Sequence, residues 1–436
     1  MTAETPRWVR DAVFYQIFPD RFAKSARARK PGPLEPWSAP PTSHGFKGGD
    51  LLGIAERLDH LQALGINAIS LNPVFASAAN HRYHTYDYRA VDPLLGGDAA
   101  LRVLLDEAHG RGMRVILDGV FNHASRGFWP FHHVMENGRH SPYRDWFYLN
   151  PDWLASGRQL AAYPDRALQE SLEADWADAH GAGVESLRTL GYRAWWDLPA
   201  LPKLNTDNPE VRAYLYETAE HWLRFGADGW RLDVAGEIET PGFWEEFRRR
   251  VKAVNPDAYI LAEVWHERPD LLSGERFDAL MNYQFLHAAV GFACGSHLDR
   301  RVTGQHAELK RSVRRLDGPQ LAARLERLTT AYPPAATEVM FNLVDGHDTP
   351  RLRSMAGGDT DAVRLGVLLQ MTFPGAPVVY YGDEIGLAGE IDPGCRGGFP
   401  WDEATWDHAL LAWFRDAIAL RHANPVLRAG EFRIAG

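Results

Sequence analysis

The chain has 436 residues, 45 % hydrophobic and 24 % charged, a balance ordinary for folded protein and enough for one large domain with an insertion, or for two domains. A formal net charge of −10 excludes a nucleic-acid binder that neutralises phosphates over a basic face, and the basic run "KSARARK" (24–30) reads as a solvated loop. Cys294 and Cys395 lie far apart without metal spacing, so neither a disulfide framework nor a zinc site is expected. No stretch reaches the length of a membrane span and the N-terminus has no leader pattern, so a cytoplasmic protein with no membrane partner is expected.

Short apolar, β-rich runs recur along the chain. The first, "AVFYQIF" (12–18), precedes a proline-rich loop (30–45) and the helical stretch "GIAERLDHLQALG", which ends in glycine as helices often do. "NAISLN" (67–72) and "RVILDGV" (114–120) follow, then a long segment rich in Trp, Pro, Asp and Tyr, and the helical "VRAYLYETAEHWLRFG". "DGWRLDV" (228–234), "YILAEVW" (259–265), "FDALMNY" (277–283), "VMFNLVD" (339–345) and "PVVYYGD" (377–383) complete the set. Continuous apolar strands alternating with amphipathic helices predict a parallel sheet covered by helices, and eight of them predict a closed (β/α)8 barrel.

Such a barrel takes about 250 residues, so the excess sits in insertions. The barrel is assigned to 1–121 and 207–425. Residues 122–206 form an irregular subdomain inserted after strand 3, because a structureless loop of that length is improbable. Residues 426–436 are expected to begin a C-terminal β domain that is absent or cut off.

In a strand, residues i and i+2 share a face, so Arg231 and Asp233 point to the barrel interior while Leu232 points away. Both lie at the strand's C-terminal end, where barrel active sites are built. The guanidinium is expected to keep Asp233 ionised, ready to act as a nucleophile. Glu263, set among Ala262, Val264 and Trp265, is expected to stay protonated as a general acid. His347 and Asp348 in "GHDTPRL", and Asp118 in "LDGVFNH", bring further polar groups to the same rim. One charged and one protonated carboxyl make the pair used by retaining glycosidases. Tyr83, Tyr86, Trp129, Trp195, Trp196 and Trp265 fall in rim segments, where aromatic faces suit a sugar.

"LDGVFNH", "LPKLN", "DGWRLDVAGE", "ILAEVWH" and "LVDGHDTPRL", in this order, resemble the conserved regions of the α-amylase superfamily of glycoside hydrolases. "AVFYQIFPDRFA", "FDALMNY" and "YYGDEIGLAGEIDPGCRGGFPWD" look most like its cyclomaltodextrinase, neopullulanase and maltogenic amylase group. The resemblance implies Asp233 as nucleophile, Glu263 as acid/base and Asp348 as transition-state stabiliser. It implies Arg231, His123 and His347 as binders of the sugar at the cleaved position, with Tyr83 stacked beneath it. Asp118 and Asn122 match motif positions, and Trp265 and Glu237 are further substrate-binding candidates. The implied substrate is an α-1,4-linked glucan oligosaccharide, a cyclodextrin or pullulan.

The chain also departs from that group. Where the group commonly offers Asn and Asp ligands to calcium after "FPDRFA", this chain has Lys24, Ser25, Arg27 and Arg29, although Gly49 and Asp50 keep part of the pattern. No metal or cofactor is therefore expected to be required. The group's N-terminal β domain does not precede "AVFYQIF", so a monomer, or a homodimer formed by another route, is expected. Gly236 stands where the group usually has Asn, beside Glu237, near the positions that accept the leaving part. An exo-acting α-glucosidase, a transglycosylase and a non-catalytic carbohydrate-binding homologue are the alternatives.

Overall fold

A computed structural model describes residues 5–179 and 184–434. Eight short strands form one parallel sheet: β1 Phe14–Ile17, β2 Ala68–Leu71, β3 Arg114–Gly119, β4 Gly229–Leu232, β5 Tyr259–Ala262, β6 Ala279–Leu280, β7 Phe341–Asn342 and β8 Ala376–Tyr380. Their order is β6-β5-β4-β3-β2-β1-β8-β7, and a parallel bridge between Met281 and Phe341 joins the two ends. This is the expected (β/α)8 barrel, each strand falling inside or at the edge of one of the eight apolar runs. The strands are buried along nearly their whole length, which explains why they read as continuous hydrophobic runs without alternation. Strands β4 and β5 approach so closely that a Cβ on Gly229 would collide with the Tyr259 carbonyl oxygen.

The helix Pro209–Arg224 shows how the outer layer is specified. Asn208 caps it by accepting from the Glu210 amide, and Pro209 occupies the first turn, where a missing N–H costs nothing. Val211, Leu215, Ala219 and Trp222 recur at helical spacing and are buried. Trp222 also donates through Nε1 to the Tyr88 carbonyl at 2.8 Å. Tyr88 belongs to an antiparallel hairpin, Phe75–Ser77 with Thr85–Val91, that lies between β2 and β3 in the chain and carries Tyr83 in its connection.

Two connections depart from simple alternation. Only the turn Pro269–Leu272 links β5 to β6, whereas β6 and β7 are separated by five α-helices between Tyr283 and Thr337. The long excursion after β3 contains helices Trp129–Asn137, Pro151–Ser156, Arg166–Ala179 and Val184–Thr189. Antiparallel bridges His123 to Lys203, Phe147 to Leu204 and Leu149 to Tyr192 tie it together. Phe131 packs edge-on against Phe147 and Tyr192 at 4.9 and 4.8 Å, giving this inserted subdomain apolar packing of its own. Past the helix His408–Ala423, the described residues hold the short helix Val426–Ala429 and no strand. Among the described residues no helix is long and apolar enough to cross a membrane.

Candidate active site

The C-terminal ends of β3, β4 and β5 bring Asp118, Arg231, Asp233 and Glu263 together. Asp118 and Arg231 are register partners across β3 and β4. The Asp233 amide bonds the Gly119 carbonyl and the Glu263 amide bonds the Leu232 carbonyl, so the ladder continues just beyond the strands and fixes both carboxyls. Arg231 Nη1 donates to Asp118 Oδ1 and Oδ2 at 2.8 and 3.0 Å and to Asp233 Oδ1 at 2.9 Å. Its Nη2 lies 3.0 Å from Glu263 Oε2. One cation thus serves three carboxyls, none more than 7 % exposed. Trp230, on the opposite face of β4, packs on Phe121 at 5.5 Å.

This sharing alters the expected charge states. Burial pushes the Asp233 carboxyl well above the usual range; Arg231 opposes it, while Glu263 and Asp118 add to the rise. The expectation that Arg231 alone holds Asp233 ionised overlooked the two competing carboxyls. Burial likewise raises Asp118 against the pull of Arg231. Glu263 does not sit in a purely apolar pocket either. Its Oε2 accepts from the Val234 amide at 2.9 Å, and its Oε1 accepts from Trp265 Nε1 at 3.3 Å and the Tyr283 hydroxyl at 3.4 Å. Val234, next to Asp233, has φ 38°, a left-handed conformation costly for a β-branched residue and typical of strain stored at a functional site.

A second group faces this cluster from the other side of the barrel. His347 Nδ1 lies 3.3 Å from Gln16 Nε2, and its Nε2 lies 3.0 Å from Asp348 Oδ2 and 2.6 Å from the Tyr83 oxygen. Tyr83 in turn donates to Asp118 Oδ2 at 2.9 Å and lies parallel to the His347 ring. Burial pushes Asp348 up, but His347, Arg396 and Arg231 outweigh it and hold the carboxyl well below the usual range. Arg396 Nη2 bonds Asp348 Oδ1 at 3.1 Å and its Nε bonds the His347 carbonyl at 2.9 Å.

The inserted subdomain supplies the remaining wall. His123 is fully buried, stacks on Trp195 at 4.7 Å, and is held neutral because burial pulls its pKa down to about 3, helped by His84 and Lys203. Among the described residues its Nε2 has no hydrogen-bond partner, leaving a polar atom for a ligand. Lys203 Nζ bonds Asn122 Oδ1 at 2.7 Å and the Glu237 carbonyl at 3.0 Å. Burial lowers Lys203 to about 8, and burial raises the Glu237 carboxyl. Trp265 stacks with Tyr283 at 3.7 Å and with His306 at 4.7 Å, so it offers its edge more readily than its face. Gly236 is open: a Cβ there would meet only Val264 Cγ2, at 3.8 Å. Trp129 and Tyr86 remain at the surface.

Thus Asp118, Arg231, Asp233, Glu263, His347, Asp348, Tyr83 and Trp265 converge through direct contacts, while His123 and Glu237 border them. Sequence reasoning missed Arg396, Lys203, Tyr283 and His306. Lys203 stood inside the quoted "LPKLN" and Arg396 inside "GCRGG"; their nearness to buried polar partners was the absent signal. Calcium does not fit the loop after β1. Asp50 Oδ1 and Oδ2 accept from the Gly53 and Ser25 amides at 2.7 and 3.0 Å, and Lys30 Nζ lies 3.1 Å from Oδ2. Among the described residues no group of three or more His, Cys, Asp or Glu is placed to hold a metal ion.

Residues 16–409 match the family described as Alpha amylase, catalytic domain. A cyclomaltodextrinase from Bacillus sp is 44 % identical over 432 residues, covering 99 % of this chain and 69 % of that protein. Neopullulanase 2 of Thermoactinomyces vulgaris is 41 % identical over 432 residues, covering 98 % and 66 %. The chain therefore spans about two thirds of the length of these relatives. The crystal structure of a debranching enzyme from Nostoc punctiforme superposes with a TM-score of 0.84 at 47 % identity, over 99 % of this chain and 83 % of that one. The cyclic alpha-maltosyl-(1→6)-maltose hydrolase of Arthrobacter globiformis, in complex with that sugar, gives 0.85 at 37 % identity, over 98 % and 86 %. With family match, barrel and motif residues in agreement, the chain belongs to the alpha-amylase family of glycoside hydrolases, in the group of the cyclomaltodextrinases, neopullulanases and maltogenic amylases.

Proposed function

We propose that the chain hydrolyses α-1,4-glucosidic bonds in short starch-derived substrates, namely maltooligosaccharides, cyclodextrins or pullulan, with retention at the anomeric carbon. The observation that carries this is the single guanidinium of Arg231 ion-paired with Asp118, Asp233 and Glu263 at the strand ends. One cation shared among three buried carboxyls leaves them short of compensating charge, and burial raises Asp233 and Asp118, which favours keeping a proton within the cluster.

In this reading Asp233 attacks the anomeric carbon while Glu263 passes its proton to the departing oxygen, breaking the glycosidic bond and leaving a glycosyl ester on Asp233. Glu263, now a carboxylate, takes a proton from water; the water oxygen bonds to the anomeric carbon and Asp233 leaves. Asp348, kept charged beside His347 and Arg396, accepts hydrogen bonds from sugar hydroxyls and favours the positively charged, flattened ring. His123 offers Nε2, and Tyr83 presents its ring beneath the sugar. Names of the similar proteins, a cyclomaltodextrinase, a neopullulanase and a hydrolase of a cyclic maltosyl-maltose, support a substrate of this class.

The division into barrel and inserted subdomain, a cytoplasmic site of action and assembly as a monomer or a homodimer belong to the same proposal. Asp233→Asn and Glu263→Gln are expected to lower kcat by at least about 10³-fold while the melting temperature holds, since each substitution keeps the side chain's volume. NMR of the first product should show the α anomer. An initial β product, or near-normal turnover in either variant, would overturn the mechanism. Parallel digests of maltotriose, β-cyclodextrin, pullulan, soluble starch and trehalose separate this reading from an exo-acting α-glucosidase or a transglycosylase.

A further inference from the structure

We infer that the Lys30 ammonium is a built-in counter-cation that replaces a bound calcium ion and pins the loop after β1 to the hairpin carrying Tyr83. Asp50 is fully buried at the start of the short helix Leu51–Ala55. A buried carboxylate needs a cation or a full set of donors. It has both: two backbone amides, and Lys30 Nζ at 3.1 Å.

The Lys30 side chain is itself only 10 % exposed, and its ammonium also donates to the Leu94 carbonyl. An ion taking six or more oxygens cannot enter here without displacing the ammonium and the Ser25 amide. The surrounding loop would also repel it through Lys24, Arg27 and Arg29, against which stands Glu56, already bonded to Ser25 Oγ at 2.6 Å.

The ammonium links three segments far apart in sequence. Beyond Leu94 the contacts continue: the Leu94 amide bonds Asp92 Oδ1 at 2.7 Å, and Asp92 Oδ2 accepts from Arg82 Nε at 2.8 Å. Arg82 is fully buried, in a left-handed conformation with φ 62°, immediately before Tyr83. A charged residue is held in that strained conformation only by its partners, and Lys30 anchors the last of them.

The test is a thermal-unfolding series with metal analysis. The melting temperature of the unsubstituted protein should be the same in excess EDTA and in millimolar calcium, and protein purified from calcium-containing buffer should retain no stoichiometric metal. Lys30→Ala should lower the melting temperature by several degrees because Asp50 is left buried without a counter-charge. Adding Asp50→Asn to Lys30→Ala should restore part of that loss, since the uncompensated charge is then gone. Should Lys30→Ala fail to fold, Lys30→Met, which keeps the aliphatic stem, enters the same cycle. Calcium raising the melting temperature of the unsubstituted protein, one equivalent of retained calcium, an unaffected Lys30 variant, or strictly additive losses would each overturn the inference.

Discussion

Replacing Arg231 by methionine keeps most of the side chain's length and removes the cation bonded to Asp233. The contact is 2.9 Å between Nη1 and Oδ1, which places the charge centres about 4 Å apart. At an effective dielectric near 20 the attraction is about 4 kcal/mol, equivalent to a rise of about 3 pH units in the Asp233 titration. One pH unit above the parent's own Asp233 midpoint, where about nine-tenths of parent molecules carry a charged nucleophile, only about one Arg231→Met molecule in 10² would. The pH profile of kcat/KM should show its acidic limb displaced upward by about 2 to 3 units, with a matching loss at neutral pH and partial recovery as the pH rises. An Arg231→Met enzyme whose activity falls while its acidic limb stays in place would refute the reasoning. Arg231 would then serve only to bind sugar.

Tyr83→Phe removes the hydroxyl that joins Asp118, Asn72 and His347, and should lower kcat/KM about tenfold, whereas Tyr83→Ala, which also removes the ring, should cost a further 10- to roughly 100-fold in steady-state assays. His287, buried on the helix Tyr283–Ala293 and lowered to about 4 chiefly by burial, is neutral in the folded state and titrates near 6.5 when unfolded. Because the unfolded chain binds more protons between those values, His287 costs about 1.4 kcal/mol of stability per pH unit as pH falls from about 6.5 to 4. Urea titrations of His287→Gln should show a correspondingly flatter acid limb; parallel curves would contradict this. Gly236→Asn finds open space and a backbone that does not demand glycine, so its melting temperature should stay unchanged while the product distribution from maltotriose shifts.

The barrel was legible because its strands are buried on both faces and read as unbroken apolar runs, and the site because parity put Arg231 and Asp233 on one face at a strand end. The hairpin Thr85–Val91 was not legible. Its exposed and buried positions do not alternate regularly and its register shifts twice against Phe75–Ser77, so neither period is present in the sequence. Arg396 and Lys203 come from irregular segments and meet partners 48 and 81 positions away, Asp348 and Asn122, which local pattern cannot reveal. The balance of charge around Asp233 was only partly legible for a related reason: the sequence showed one carboxylate next to Arg231, while folding brings two more.

That crowding suits a reaction in which two carboxyls exchange roles. Had each of Asp233 and Glu263 its own cation, both would be ionised and no acid would remain to protonate the leaving oxygen. Had they none, burial would disfavour the charged form of Asp233 and no nucleophile would form. A single guanidinium touching Asp233 through Nη1 and Glu263 through Nη2 leaves the pair short of positive charge, so that a proton is retained yet remains transferable. In the proposed reaction the charge on Asp233 is lost as it becomes an ester, while the charge on Glu263 appears. Arg231 then has one fewer anion to serve at Nη1 and one more at Nη2, so the charge beside it is conserved through the step. The Val234 amide, held on Glu263 Oε2 by its strained backbone, fixes that carboxyl in position for the transfer.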